Sequence, residues 1–224
     1  ISLVKKARKG IFLFSEGEYT FDEKEEIPCH CPACIEGKKS FEHVLFHNYY
    51  ALFDEIQKVR NAIRKKKIRE FVEKRVCNTP NLHSILTILD NEYYEFQEKK
   101  YAVTGKKINV SCLSFNRPDI ERFRKRVQER YKKPESARIL LLLPCSAKKP
   151  YSFSKSHMFF RKAIKTCKNP HAVHEVIVTS PLGIVPRELE MFYPAANYDI
   201  SVTGHWSNDE KAVSYTHLRA HETR

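Results

Sequence analysis

Glycine is scarce in this chain, at 6 of 224 residues. No glycine-rich phosphate loop and no dinucleotide-binding fingerprint occurs, which excludes the commonest nucleotide-binding turns. Long apolar runs are missing too. None approaches the ~20 residues that a membrane-spanning helix needs, and no stretch reads as a secretory leader. No internal repeat is found. Acids are in short supply: 27 Asp and Glu stand against 40 Lys and Arg, giving a net charge of +13. A clustered basic excess of this kind points to a polyanionic partner. The 7 cysteines are an odd count, and three fall within residues 29–34. That argues against a disulfide framework and for metal and thiol chemistry in a reducing, cytoplasmic setting. The apolar share of 42% suffices for packed cores, and the length allows one large or two small domains.

Cys29, Cys31 and Cys34 suit a tetrahedral zinc, and a fourth ligand is needed. His43 and His47 stand at i and i+4 on one face of the following helix, and either can supply it. Three thiolates and one histidine close the shell, so the site is expected to be structural. Leu45, Tyr49, Leu52, Ile56, Val59 and Ile63 step by four and three, an amphipathic helix with one apolar face. Arg64, Lys65, Lys66 and Lys67 follow as a basic cluster. Leu82, Ile85, Leu86 and Leu89 mark a further short helix.

Residues 90–117 are polar, dotted with aromatics and without periodicity, and read as an interdomain linker. Pro118 then opens a helix. Ile120, Phe123 and Val127 form its buried stripe, and Arg122, Arg124, Lys125, Arg126 and Arg130 are expected to face out as a second basic cluster. Residues 139–143 are five apolar residues in a row, the pattern of a strand buried on both faces. A helix over 158–164 and strands over 176–179 and 199–204 follow, with a loop over 179–190. Short apolar strands alternating with a helix imply a parallel sheet with right-handed crossovers. The chain begins without Met inside what reads as a running fold, so an internal piece of a longer protein is expected. Residues 213–224 change character and resemble translated adapter or vector sequence, so a non-native tail is expected there.

Ligands bind outside the carboxyl ends of strands in open α/β sheets. At that position after residue 143 the chain places a thiol (Cys145), several hydroxyls, Lys148, Lys149 and, further on, His157. Residues 146–165 hold six Lys and Arg and no acid. Such a field attracts phosphate and lowers the pKa of a nearby thiol. A solvated basic loop after a core strand is the alternative, with Cys145 a small residue packed at the strand end.

The spacing Pro144-Cys145, three residues, Lys149-Pro150-Tyr151, two residues, Ser154, two residues, His157 resembles the motif of the archaeosine synthases, paralogues of the archaeal tRNA-guanine transglycosylases. Phe46-His47-Asn48-Tyr49 resembles the zinc-histidine context of the transglycosylases and favours His47 over His43. Only 12 residues separate Cys34 from His47, fewer than that family usually shows. Phe71-Val72-Glu73-Lys74-Arg75 resembles the next helix of the same family. Residues 179–190, Tyr193-Pro194-Ala195-Ala196 and Thr203-Gly204-His205-Trp206 resemble further stretches of the synthases.

The resemblance implies an α/β protein: the zinc-binding C-terminal part of a transglycosylase-like TIM-barrel domain (residues 1–89), then the linker, then a three-layer α/β domain with a mainly parallel sheet (residues 118–212). It implies a transferase acting on a tRNA that carries 7-cyano-7-deazaguanine in its D-loop, with free lysine as nitrogen donor and a radical enzyme as partner. It also implies a structural zinc on Cys29, Cys31, Cys34 and His47. A thiolate can add to a nitrile carbon to give a thioimidate that an amine displaces. Cys145 is placed for that step, with Lys149 and His157 as further catalytic candidates; His157 could protonate the nitrogen. Tyr151, Ser154, Ser180, Arg187 and Glu188 are the expected substrate-binding residues. Arg187 and Glu188 could hold an amino acid's carboxylate and ammonium, or pair with each other. A noncatalytic tRNA-binding module and a base-exchanging transglycosylase are the competing readings; the motif favours the synthase over the latter.

Overall fold

The structure is a computed structural model that describes residues 2–35, 39–77, 79–100, 105–201, 206 and 208–222. The chain divides into two compact units, Ile1–Asn78 and Thr79–Arg224.

In the first unit, α1 (Leu3–Arg8) is followed by a two-stranded antiparallel hairpin, β1 (Phe12–Leu13) and β2 (Glu18–Tyr19). A single turn, α2 (Pro32–Ile35), lies between the cysteines and the long helix α3 (Phe41–Arg64), which α4 (Ile68–Val76) follows. Ser40 caps α3 by accepting from His43 N at 3.2 Å, a standard use of a short hydroxyl at a helix start. The expected helix is present, but its packed face is a different one. His43, Val44, His47 and Asn48 are buried, whereas Tyr49, Leu52, Ile56 and Ile63 of the expected apolar stripe are exposed. The reason is what covers the helix: α1 and β1 lie against its other side, where Ala7, Phe12 and Val44 form a small core.

In the second unit, α5 (Pro80–Glu92) starts with proline in its first turn. Helix α6 (Tyr94–Lys100) is tied back to it by Gln97, whose Nε2 donates to Leu89 O at 2.6 Å and to Asp90 Oδ1 at 3.1 Å. The stretch expected as a linker therefore carries a helix, and the break between units falls before α5 rather than after residue 89. Then come β3 (Ile108–Asn109), α7 (Pro118–Arg130), β4 (Ile139–Pro144), α8 (Lys155–Lys165), β5 (Val173–Thr179), β6 (Gly183–Pro186), β7 (Tyr198–Asp199) and α9 (Asn208–Glu222).

The stripe Ile120, Phe123 and Val127 is buried, as its spacing predicts. The outward face is smaller than expected. Arg122 and Arg124 are buried, because α6 and the turn before α7 cover them. Arg122 Nε donates to Glu98 at 2.6 Å, and Arg124 donates to Phe115 O at 2.5 Å with its guanidinium 4.7 Å from the Phe115 ring centroid. Glu98 keeps Arg122 above its ordinary range, and burial pulls Arg124 below it.

The sheet order is β4-β5-β6. β4 and β5 are parallel, with α8 as the crossover, and place Pro144 opposite Val178. β6 runs antiparallel to β5. It occupies residues expected to be loop, and Leu182, Ile184 and Val185 there are fully buried. Burial of each such side chain contributes roughly 1.5–3 kcal/mol. The strand buried at every position is β6, while β5, the middle one, is buried or partly buried along its length. β4 is an edge strand among the described residues, with Ile139, Leu140 and Leu142 exposed. β7 does not extend this sheet; it pairs in parallel with β3. Residues 202–205 of the expected third strand lie outside the described residues. The segment expected as a non-native tail belongs to α9 as far as Glu222. The fold is thus mixed α/β with parallel elements, and the sheet carries one parallel and one antiparallel ladder.

Candidate functional sites

The first site gathers Cys29, Cys31, Cys34 and His47, whose ligand atoms all lie within 4.8 Å of one another. The cysteines come from the loop and turn that α2 closes, and the histidine from the first turns of α3. His47 Nδ1 is 3.3 Å from Cys34 Sγ and 3.7 Å from Cys31 Sγ. Its other nitrogen, Nε2, donates to the Leu13 carbonyl at 2.9 Å. That bond fixes the tautomer and leaves the Nδ1 lone pair facing the sulfurs, the usual support of a metal-bound histidine. Asn48 does the same mechanical work on the next residue, accepting from Leu13 N at 2.7 Å and donating to Ile11 O at 2.8 Å. His43 Nε2 lies 3.4 Å from Cys34 Sγ, but His43 is not among the four residues whose ligand atoms converge. Burial and the neighbouring thiols Cys31 and Cys29 push the Cys34 thiol up. Three sulfurs this close cannot all ionise without a cation between them, and a divalent metal removes that conflict. The four residues fit a metal ion.

The second site lies at the carboxyl end of β4. Cys145 is half-buried against the core of this unit. Lys149 Nζ is shielded from solvent, has no hydrogen-bond partner and lies 4.2 Å from the Tyr198 ring centroid. Burial lowers its pKa. Beneath it, the Tyr198 hydroxyl is 2.5 Å from both the Tyr151 hydroxyl and Thr179 Oγ1. Burial holds both phenols well above their ordinary range, so they keep their protons.

The remaining expected site residues are engaged elsewhere. His157 is fully buried. Its Nε2 donates to Pro144 O at 2.9 Å, and its Nδ1 accepts from Arg187 Nη2 at 2.8 Å. Burial and the Arg187 charge lower its pKa. Both nitrogens being occupied, His157 positions the loop and has no proton to offer a substrate. Arg187 holds Glu175 at 2.6 Å and Glu190 at 2.8 Å, and Glu190 accepts from Ser152 N at 3.1 Å. Arg187 therefore does not face a ligand carboxylate, nor does it pair with Glu188. Glu188 accepts from the Tyr131 hydroxyl at 2.8 Å, which also meets His174 Nε2 at 2.8 Å. Tyr151 is enclosed in the core. Ser154 caps α8 by accepting from His157 N at 3.2 Å, and Ser180 donates to Glu210. These internal bonds share one cause: the motif is spaced to fold its own loop, so most of its polar atoms have partners within the protein.

Tyr198 and Thr179 were not singled out in the sequence. Thr179 ends a buried strand and could have been considered on that ground. Tyr198 carried no signal, since its role comes from β7 crossing to β3. A separate cavity of about 750 Å³, lined in part by Tyr131, Lys132, Lys133, Arg138 and His174, adjoins the start of β4 and holds none of the motif.

No helix among the described residues is long and apolar enough to cross a membrane. Residues 120–224 match the family described as "Domain of unknown function (DUF5591)". Along 92% of its length the chain is 42% identical to the archaeosine synthase subunit alpha of Methanosarcina acetivorans. Along 96% it is 36% identical to the archaeosine synthase of Haloferax volcanii. A tRNA-guanine(15) transglycosylase of Methanococcus maripaludis is 26% identical over 87% of the chain. The aligned regions are 34%, 36% and 30% of those relatives, so the chain spans about a third of the length of the curated relatives it matches. Over that third, the chain is similar to archaeosine synthases and, at lower identity, to a tRNA-guanine(15) transglycosylase.

Proposed function

We propose that this chain is part of a tRNA-modifying transferase of archaeosine biosynthesis, in which Cys145 is the nucleophile that attacks the nitrile of 7-cyano-7-deazaguanine in tRNA. Free lysine displaces the sulfur, and a radical enzyme acts on the adduct. The observation that carries this reading is Cys145 itself: a half-buried thiol at the carboxyl end of β4, beside a shielded, unpartnered amine. A nitrile carbon is a weak electrophile, and a thiol is the strongest nucleophile this loop offers. The higher identity to synthases than to a transglycosylase supports nitrile chemistry over base exchange.

The first unit is then the zinc-carrying end of a transglycosylase-like barrel domain. Cys29, Cys31, Cys34 and His47 hold a structural Zn2+, which fixes the start of α3 and stays out of the chemistry because the shell is closed. The basic surface at Arg64, Lys65 and Lys66 contacts tRNA phosphates without reading bases.

The test uses the full-length enzyme containing this segment, nitrile-bearing tRNA and lysine. Cys145→Ala abolishes lysine addition while tRNA affinity stays within a few-fold, and wild type without lysine accumulates a covalent enzyme–tRNA complex in intact mass. Substantial activity in Cys145→Ala would replace covalent catalysis with direct attack by lysine.

A further inference from the structure

An amine that is buried and unpartnered needs a reason, because a buried ammonium without an acceptor is costly and such exceptions are few. Lys149 Nζ is the case in point. The face of Tyr198 at 4.2 Å offers it partial compensation. The charges that act on it are Cys145 and Asp199, which favour the ammonium, and Lys107, which opposes it. Asp199 is itself held by Lys107 at 2.7 Å, so Cys145 is the neighbouring acidic group not already paired. Among the shielded proton-bearing groups nearby, His157 is occupied by Pro144 and Arg187, and Tyr151 and Tyr198 by each other and Thr179; Lys148 is exposed to solvent. An amine in a dry pocket beside a thiol can exist in both protonation states, which is what proton transfer requires.

We propose that Lys149 is the proton carrier of the Cys145 site. This rests on reading Cys145 as the nucleophile. The Cys145 Sγ–H proton moves to Nζ as the sulfur attacks. The S–C bond forms, one π pair of the nitrile moves onto its nitrogen, and that nitrogen takes the proton from Nζ, leaving a neutral thioimidate and a neutral lysine side chain. In the second half the incoming amine forms its C–N bond and its surplus proton passes to Nζ. The C–S bond breaks, and the leaving sulfur recovers a proton from Nζ. Nothing is oxidised or reduced, and Lys149 ends as it began. Its amine is shielded from solvent and held over the Tyr198 ring, so it serves sulfur and substrate nitrogen from one position.

The experiment needs neither tRNA nor lysine. Iodoacetamide alkylation of Cys145 is followed at neutral pH by peptide mass spectrometry on this chain, with exposed Cys167 as the internal reference. Lys149→Met, which keeps an unbranched side chain over Tyr198, slows Cys145 at least about tenfold while Cys167 is unchanged. Methylamine added to Lys149→Ala restores part of the rate, which a packing defect would not allow. Equal Cys145 rates in wild type and Lys149→Met overturn the proposal even if lysine addition to tRNA is intact. A slowed Cys145 in an enzyme that forms no nitrile adduct keeps the proton carrier and removes the nitrile substrate.

Discussion

His157 Nε2 lies 2.9 Å from the carbonyl oxygen of Pro144, so the last residue of the motif is hydrogen-bonded to its first. The loop between them is closed on itself, and Arg187 locks the far side of the ring from a different segment. His157→Ala leaves the Pro144 carbonyl without its donor, removes one of several Arg187 contacts and opens a cavity in the core, and costs about 2–4 kcal/mol. His157→Phe restores the volume but not the bonds, and costs nearly as much. Urea denaturation of both variants checks this; a stable Phe variant would mean that packing alone holds the loop.

Acid weakens the fold in a window set by two histidines. Burial lowers the pKa of His157 and of His174 from the ordinary 6.5. Each therefore binds its proton more readily in the unfolded chain. Their contribution to stability is fully present above the unfolded value and is lost as pH falls from about 6.5 through the lowered folded values. Melting temperatures taken between pH 7.5 and 5.5 fall for wild type, and fall less steeply for His174→Gln. A flat profile over that range would sink the assignment.

Purified protein is expected to carry about one zinc per chain, held by three thiolates and one imidazole of a closed shell. Cys31→Ser and His47→Ala lose it and become protease-sensitive within residues 1–78. His43→Ala keeps the metal, because His43 meets only Cys34 Sγ through Nε2. Metal analysis of the three variants separates ligand from neighbour, and loss of zinc from His43→Ala would exchange the two histidines. Strong chelators are expected to act on the first unit as Cys31→Ser does.

The two basic clusters differ in how much of their charge can meet phosphate; in the second, only Arg126 and Arg130 are fully exposed. Arg64, Lys65 and Lys66 are exposed, whereas Arg122 and Arg124 are buried against Glu98, Glu121 and Phe115. Charge reversal at Lys65 and Lys66 weakens tRNA binding and flattens its logarithmic salt slope by about one unit per lost contact. Reversal at Arg122 instead lowers the melting temperature. Salt titrations of binding beside thermal melts decide between the two patterns.

Ile184 is fully buried in β6, and Ile184→Ala costs about 2–5 kcal/mol. A surface loop, the expectation for residues 179–190, would lose almost nothing. Denaturant midpoints for this one variant separate the two.

The sequence was legible where a local pattern decides the outcome. The metal cluster followed from three thiols in six residues, and the helix Pro118–Arg130 from its proline and stripe. β4 was placed correctly but its surroundings were not, because an apolar run does not say whether one neighbour or two will flank it. β6 was missed because Gly183, Pro181 and Pro186 read as loop punctuation around only a few apolar residues. The burial of Arg122 and Arg124 depends on α6 and Phe115, which no periodicity within α7 reveals. At the motif, the residue types were read as chemistry, yet His157, Ser154, Tyr151 and Arg187 satisfy backbone and core partners. Only the pair left over, Cys145 and Lys149, stands apart from that framework.

The Tyr198 ring beneath Lys149 sets the smallest piece that can work. A chain shortened to end after His157 would spell out the entire signature and still lack the floor of the site, the Thr179 hydroxyl and the Arg187 lock. Signature and working unit thus differ in length, and the motif is not portable: grafted after the strand of another protein, it would carry its letters across without the amine's shelter. Variation at Tyr198, far from the signature in sequence, is where related chains can lose the chemistry while keeping every letter of the motif.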